Sequence, residues 1–232
     1  MAFSFLKSLL PDQPKPVCIW RGPFRGARVV MNPRTSVRKI LGVYEHELND
    51  WIDAALHRVV HVVDVGANDG YFTFGCAAAF RRLAKVGEIV AFEPQTEYFG
   101  QLQQSLEEQS TSTIKFTLVQ SLVGQQEEPS RTTLDSIQWI AGNPNDRRNT
   151  LIKIDVEGAE EEVLKGGGSW LNSSNLFLIE VHREQFLTSI TQLFADKGLV
   201  LDRVNQRPLS LIGGEVRTSE NWWLVSRLNP VP

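Results

Sequence analysis

The chain has 232 residues, a formal net charge of −3, and 42% hydrophobic and 22% charged residues. Those proportions exclude a disordered, collagen-like or coiled-coil chain. The slight negative charge argues against a protein that coats nucleic acid, so no nucleic-acid partner is expected, and no apolar run is long enough to span a bilayer.

The opening MAFSFLKSLLP has an apolar face, lacks a preceding basic stretch, and is stopped by Pro11. It reads as a short helix and not as a secretion signal. Residues 11–16 (PDQPKP) form a polar, proline-rich linker. Residues 17–20 and 27–31 are short apolar runs with Gly22, Pro23 and Gly26 between them, the pattern of a β-hairpin. In residues 44–56, Leu48, Trp51, Ile52, Ala55 and Leu56 share one helical stripe. Residues 1–57 are therefore predicted to form an N-terminal cap, and residues 58–232 the main domain.

From His61 onward, apolar runs alternate with helical patterns. HVVDVG, EIVAFEP, IKFTLVQSLVG, LIKIDV and NLFLIEVH read as strands, and LVLDRV and NWWLVSRL as two more. YFTFGCAAAFRRLAK, TEYFGQLQQSLEEQ, AEEEVLK and a stripe through Phe186, Leu187, Ile190, Leu193 and Phe194 read as the intervening helices. This alternation predicts an α/β fold, a mostly parallel sheet with helices on both faces. Cys18 and Cys76 fit neither a disulfide framework nor a zinc spacing. Cys76 reads as a small core residue, and this cysteine usage suits a reducing, cytoplasmic setting.

In such sheets ligands bind outside the carboxyl ends of the strands, so the residues ending each strand carry the functional signal. The first strand runs into Asp64-Val65-Gly66-Ala67-Asn68-Asp69-Gly70. A dinucleotide fingerprint would need glycine at positions 68 and 71, where this chain has Asn68 and Tyr71. The turn fits better the shorter G-x-G-x-G of S-adenosylmethionine enzymes, with Asn68 in the middle place. The second strand ends in Glu93, a carboxylate placed to accept hydrogen bonds from both hydroxyls of a ribose. Near the end of the third, Gln120 and Ser121 are candidates to meet an adenine edge.

In the fourth strand, Lys153 and Asp155 fall on one face; in the fifth, Glu180 and His182 do. With neighbouring strands in similar register, Lys153 pairs with Glu180 and Asp155 meets His182. An Asp–His pair at the strand tips suits removal of a proton from a hydroxyl. The same two side chains suit a divalent metal, although no cluster of metal-ligating residues stands out in the sequence and no metal ligand is assigned. A purely structural Asp–His tie is the third possibility. Glu157 follows in a D-V-E-G turn and either favours the next helix N-terminus or faces substrate. Glu160, Glu161 and Glu162 read as a solvated helix start, with Glu161 spaced to pair with Lys165.

VVDVGANDGYF, AFEPQ, TTLDSI, LIKIDVEGAEEEVLKGG and LIEVH occur in the order and spacing of the FkbM-type methyltransferases, and GVYEHEL resembles the segment before their first motif. The resemblance spans residues 42–205; Asp69 departs from it, standing where many members carry an aliphatic residue. It implies a class I methyltransferase fold of seven strands, the last antiparallel, with S-adenosylmethionine as cofactor. It implies further that Gly66, Asn68 and Gly70 line the methionine part of that cofactor, that Glu93 holds its ribose, that Ser121 or Gln120 lies near adenine, and that Asp155 faces the reaction centre. Asp64 and Ala67 join this cofactor set as part of the same turn.

The expected function is O-methyl transfer to a hydroxyl of a small molecule, by resemblance a sugar or natural product, with Asp155, His182 and Glu157 as catalytic candidates. Rival readings are a divalent-metal-dependent O-methyltransferase using Asp155 and His182 as ligands, a dinucleotide oxidoreductase, and a non-catalytic domain that keeps the fold. Tyr44 and Glu45 are placed in a lid over the site.

Overall fold

The computed structural model describes residues 10–109, 113–139, 143, 145–207, 209 and 221–228. The helix expected in the first ten residues falls almost entirely outside this set. Among the described residues the chain first forms the expected antiparallel ribbon, Lys15–Cys18 (β1) with Arg28–Met31 (β2). The helix expected over residues 44–56 starts two residues later than expected and opens with a 3-10 turn. A short helix Val37–Leu41 (α1) ends at Gly42, a 3-10 turn covers His46–Leu48, and the main helix Asn49–Arg58 (α2) follows. Glu45 sets that start, because its left-handed backbone (φ 47°) cannot belong to the helix.

The next elements are His61–Val65 (β3), Tyr71–Arg82 (α3), Gly87–Phe92 (β4), Thr96–Glu107 (α4), Ile114–Val119 (β5) and a small parallel ladder of Leu122–Val123 (β6) with Arg131–Thr132 (β7). After these come Thr150–Ile154 (β8), Glu160–Lys165 (α5), Leu176–Val181 (β9), Glu184–Ala195 (α6), Leu201–Val204 (β10) and Trp222–Ser226 (β11). The central sheet has seven strands in the order β10-β11-β9-β8-β3-β4-β5. All pairings from β9 through β5 are parallel, and β11 runs antiparallel to both β9 and β10. The α/β reading from the sequence is thus borne out, including the single reversed strand.

The central strands are mostly apolar because both faces are covered. Val62 and Leu151 pack into one core cluster, with Phe74, Phe80 and Leu178, while Val63 and Ile152 pack into the other, with Phe177, Ile190 and Phe194. Period-two alternation sends successive side chains to opposite layers, so neither position tolerates a polar residue. Cys76 is fully buried within α3, as expected of a core residue. Among the described residues no helix is long and apolar enough to cross a membrane.

The N-terminal elements pack on the same core. Phe24 lies against Gly75 of α3 and makes edge-on ring contacts with Tyr71 and Phe72. The Val30 amide donates to Ser105 of α4 at 2.8 Å, and the Trp51 indole of α2 donates to the Ser226 carbonyl at 2.9 Å. Sheet order reverses between β3 and β8, with β4 and β5 on one side and β9 on the other. A crevice opens at such a reversal, outside the carboxyl ends of the strands.

Candidate active site

The turn after β3 is held in left-handed backbone at alternate residues, with φ 81° at Gly66, 49° at Asn68 and 84° at Gly70. At Gly66 the requirement is absolute, since a Cβ there would lie 1.8 Å from the Asp155 carbonyl. The ends of β3 and β8 therefore touch backbone to backbone. The Gly66 and Ala67 amides both donate to the Phe92 carbonyl, at 3.0 and 2.9 Å, which laces the turn to the end of β4.

Glu93 continues that lacing. Its carboxylate accepts from the Asn68 amide at 2.8 Å through one oxygen and from the Gln95 amide at 2.9 Å through the other. Each oxygen keeps a further lone pair. Beside it lies a cavity of about 290 Å³, lined by Gly66, Asn68, Glu93, Ser121, Asp155 and Glu157 among others. That volume is near the lower end of the range for small-molecule sites, about 300–1,000 Å³. A second, smaller cavity of about 80 Å³ lies on the other side of Gly66, Asn68 and Asp155. Its far wall comes from the N-terminal segment, with Lys39, Tyr44, Glu45 and Asn49. Lys39 reaches Asp69 at 2.7 Å and thereby ties α1 to the turn. This gives Asp69 a structural use that an aliphatic residue could not supply.

Beneath the turn, Lys153 is nearly buried. Its ammonium donates to the Gly66 carbonyl at 3.0 Å and to Asp155 at 3.1 Å, and lies 3.4 Å from Asp64. Pairing of Lys153 with Glu180, expected from the sequence, does not occur. β8 and β9 are staggered so that Lys153 stands opposite Leu178, two residues short of Glu180. Asp64 is fully buried and accepts from the Thr73 hydroxyl at 2.5 Å. Burial raises its pKa, against the opposing pull of Lys153 and of that hydrogen bond. Asp155 is desolvated as well, but the adjacent Lys153 outweighs this and holds its carboxyl below the usual range.

The structure does bring Asp155 and His182 together, with His182 Nε2 3.7 Å from Asp155 Oδ1. Glu157 Oε2 lies 3.5 Å from the same nitrogen. The closest partner is one that sequence reasoning placed in solvent. Glu160 Oε1 lies 2.6 Å from His182 Nδ1 and also accepts from the Gly158 amide at 2.9 Å. Glu160 is fully buried, unlike its neighbour Glu162. Desolvation alone would lower the His182 pKa, but the bond to Glu160 and the charges of Glu180, Asp155 and Glu160 win and push it up to about 9. With that pKa the ring is protonated near neutrality and is a hydrogen-bond donor on both sides.

Of the residues expected to bind cofactor, Gly66, Asn68, Glu93 and Ser121 line the larger cavity, and Gly66, Ala67 and Asn68 line the smaller. Asp64 lies behind the turn and Gly70 opens α3, where a Cβ would strike Phe74 and Leu102; both shape the site from outside it. The Gln120 amide turns away to the Thr96 hydroxyl at 3.0 Å. Lys39 and Glu160 carried no signal that sequence reading could have used, because their partners come from distant segments.

Residues 105–198 match the sequence model of the methyltransferase FkbM domain. Among solved structures, the chain is similar to the methyltransferase FkbM from Methylobacillus flagellatus, with 20% identity and a TM-score of 0.55 over 73% of this chain and 44% of that one. It is similar also to a precorrin-6y C5,15-methyltransferase from Geobacter metallireducens, with 17% identity and a TM-score of 0.51 over 78% and 87% of the two chains. At those identities the likeness is one of fold, the class I methyltransferase fold. The chain spans less than half the length of the Methylobacillus protein. No curated protein matches the sequence. The FkbM-type match covers β5 through α6, and so includes Ser121, Asp155, Glu157, Glu160 and His182.

Proposed function

We propose that this chain is an FkbM-type methyltransferase that binds S-adenosylmethionine and transfers its methyl group to a hydroxyl of a small-molecule acceptor, a sugar or natural product. The observation that carries the reading is the placement of Glu93. Its two oxygens are fixed by backbone amides of the turn and of the segment opening α4, at the wall of the larger cavity. A carboxylate so held presents its remaining lone pairs to vicinal hydroxyls, the contact that a ribose offers. Ser121, Leu122 and Val123 then stand at the adenine end, and the 66–70 turn at the methionine end.

The sulfonium methyl is already electrophilic, so the protein needs to align oxygen, carbon and sulfur and exclude water. Asp155 lies on the wall shared by both cavities and is the group placed to receive the hydroxyl proton. With a pKa near 9, His182 serves better to orient Asp155 and Glu157 than to take a proton itself. The reaction forms the oxygen–methyl bond as the methyl–sulfur bond breaks, and leaves S-adenosylhomocysteine.

The test is calorimetric binding of S-adenosylhomocysteine to the full chain, compared with Glu93→Gln and Glu93→Ala. Loss of two hydroxyl contacts to an ionised acceptor predicts about a 10- to 100-fold weaker complex. A folded wild-type chain that does not bind, or variants that bind as tightly as it does, would overturn the reading.

A further inference from the structure

His182 and its neighbours show a geometry that proton transfer to Asp155 alone does not require. His182 Nε2 faces two carboxylate oxygens, Asp155 Oδ1 at 3.7 Å and Glu157 Oε2 at 3.5 Å. The three donor atoms all lie within 4.8 Å of one another. Those separations are too long for good direct hydrogen bonds, which fall near 2.7–3.2 Å. The two distances from Nε2 match donors sharing a small cation, which stand about 3–4 Å apart around bonds of about 2.1 Å.

The other ring nitrogen is fixed in the way a metal-bound histidine requires. Nδ1 contacts Glu160 Oε1 at 2.6 Å, and Glu160 is wholly buried. A carboxylate at that position holds the proton on Nδ1, so that an ion displacing the Nε2 proton meets a lone pair aimed at it. The second oxygen of Glu160 is buried with no hydrogen-bond partner. A buried, half-satisfied carboxylate is costly, and positive charge beside it offsets that cost. Around the ring stand Asp155, Glu157, Glu160 and Glu180, against Lys153 and the ring itself, with Arg183 beside Gly158. The Glu157 side chain is 88% exposed, so an ion has a route of entry. Asp155 and Glu157 both border the larger cavity, so its open positions would face a bound molecule.

We propose that Asp155, Glu157 and His182 bind one divalent cation, with Glu160 as the positioning residue behind His182. One nitrogen and two carboxylate donors favour an ion of intermediate hardness, manganese or zinc, over magnesium or calcium. The role of this ion rests on the methyltransferase reading. With Asp155 committed to the ion in place of its role as proton acceptor, an acceptor hydroxyl taking an open position would become more acidic and lose its proton to solvent on the Glu157 side. Its oxygen would then attack the methyl carbon as the carbon–sulfur bond breaks.

The experiment is titration of the full chain with manganese(II), followed by electron paramagnetic resonance, with S-adenosylhomocysteine binding measured on the same samples. One bound manganese per chain is expected, displaced by zinc and poorly by magnesium. Glu157→Gln, at an exposed position that folding does not need, should weaken it at least about 10-fold, and Glu160→Gln about 10- to 100-fold. Asp155→Asn should do the same. No bound manganese or zinc in a chain that binds S-adenosylhomocysteine would overturn the metal site and leave the methyltransferase reading intact. Manganese binding without S-adenosylhomocysteine binding would leave the site standing and overturn the cofactor reading. Unchanged manganese affinity in Glu157→Gln and Asp155→Asn would place the ion elsewhere and overturn the assignment.

Discussion

Replacing Lys153 with Met probes the charge network under the cofactor turn. The ammonium serves three oxygens, on Gly66, Asp155 and Asp64. Asp155 is partly exposed and can recover solvation from water. Asp64 is 0% exposed and cannot, and its Oδ1 has no other donor. Leaving a buried charge without its partner typically costs about 3–5 kcal/mol. The loss has a ceiling, because Asp64 can take up a proton instead. From the ordinary value of 3.8, that costs about 1.4 kcal/mol per pH unit, or roughly 2 kcal/mol at pH 5.5 and 6 at pH 8.0. The variant should therefore lose about 2 kcal/mol at pH 5.5 and about 3–5 at pH 8.0. The sign follows from linkage. With its pKa raised in the folded state, Asp64 keeps a proton that the unfolded chain has released, so stability falls as pH rises through the folded value. Urea unfolding at both pH values measures the difference. Adding Asp64→Asn to Lys153→Met should restore part of the loss at pH 8.0. A loss under 1 kcal/mol at pH 8.0, an equal loss at both pH values, or strict additivity in the double variant would refute the reasoning.

Two further substitutions test the backbone contacts that shape the site. Gly66→Ala forces a Cβ to within 1.8 Å of the Asp155 carbonyl in left-handed backbone, so a stability loss of at least about 2 kcal/mol is expected in thermal unfolding, together with weaker S-adenosylhomocysteine binding. In a helix interior Gly→Ala ordinarily gains about 1 kcal/mol. Gly75→Ala should instead destabilise, because the new methyl would lie 2.4 Å from the Phe24 ring. Hydrogen exchange should then show faster opening of β1, β2 and α1 than of the central sheet, and a net stabilisation would contradict the packing described.

How much of this was legible in the sequence depended on the range of the interaction. The strands and helices of the main domain were read from apolar runs and helical stripes, because burial on both faces leaves that signature locally. Residues at strand ends were legible for the same reason, since the sheet edge is where polarity resumes. Glu160 was not. Three consecutive glutamates at a helix start look solvated, and only the tertiary approach of His182 and the Gly158 amide makes a buried position for the first of them. Lys153 was misassigned because period two gives the face of a side chain but not the stagger between neighbouring strands. The late start of the 44–56 helix turned on one residue, Glu45, whose left-handed backbone no propensity argument anticipates.

The place of β11 in the sheet sets an order on assembly during synthesis. β3, β4 and β5 are made in the order in which they lie in the sheet, and β8 and β9, made later, lie on the other side of β3. β10 leaves the ribosome next, yet its sheet neighbour is β11 and not β9. Until Trp222–Ser226 has been made, β10 has no place in the sheet and the apolar strand Leu176–Val181 presents an open edge. A nascent chain paused between the two is a template for pairing with another chain. The reversed strand is thus the wedge that covers the β9 edge and gives β10 its place, and translation must reach it before that edge is paired.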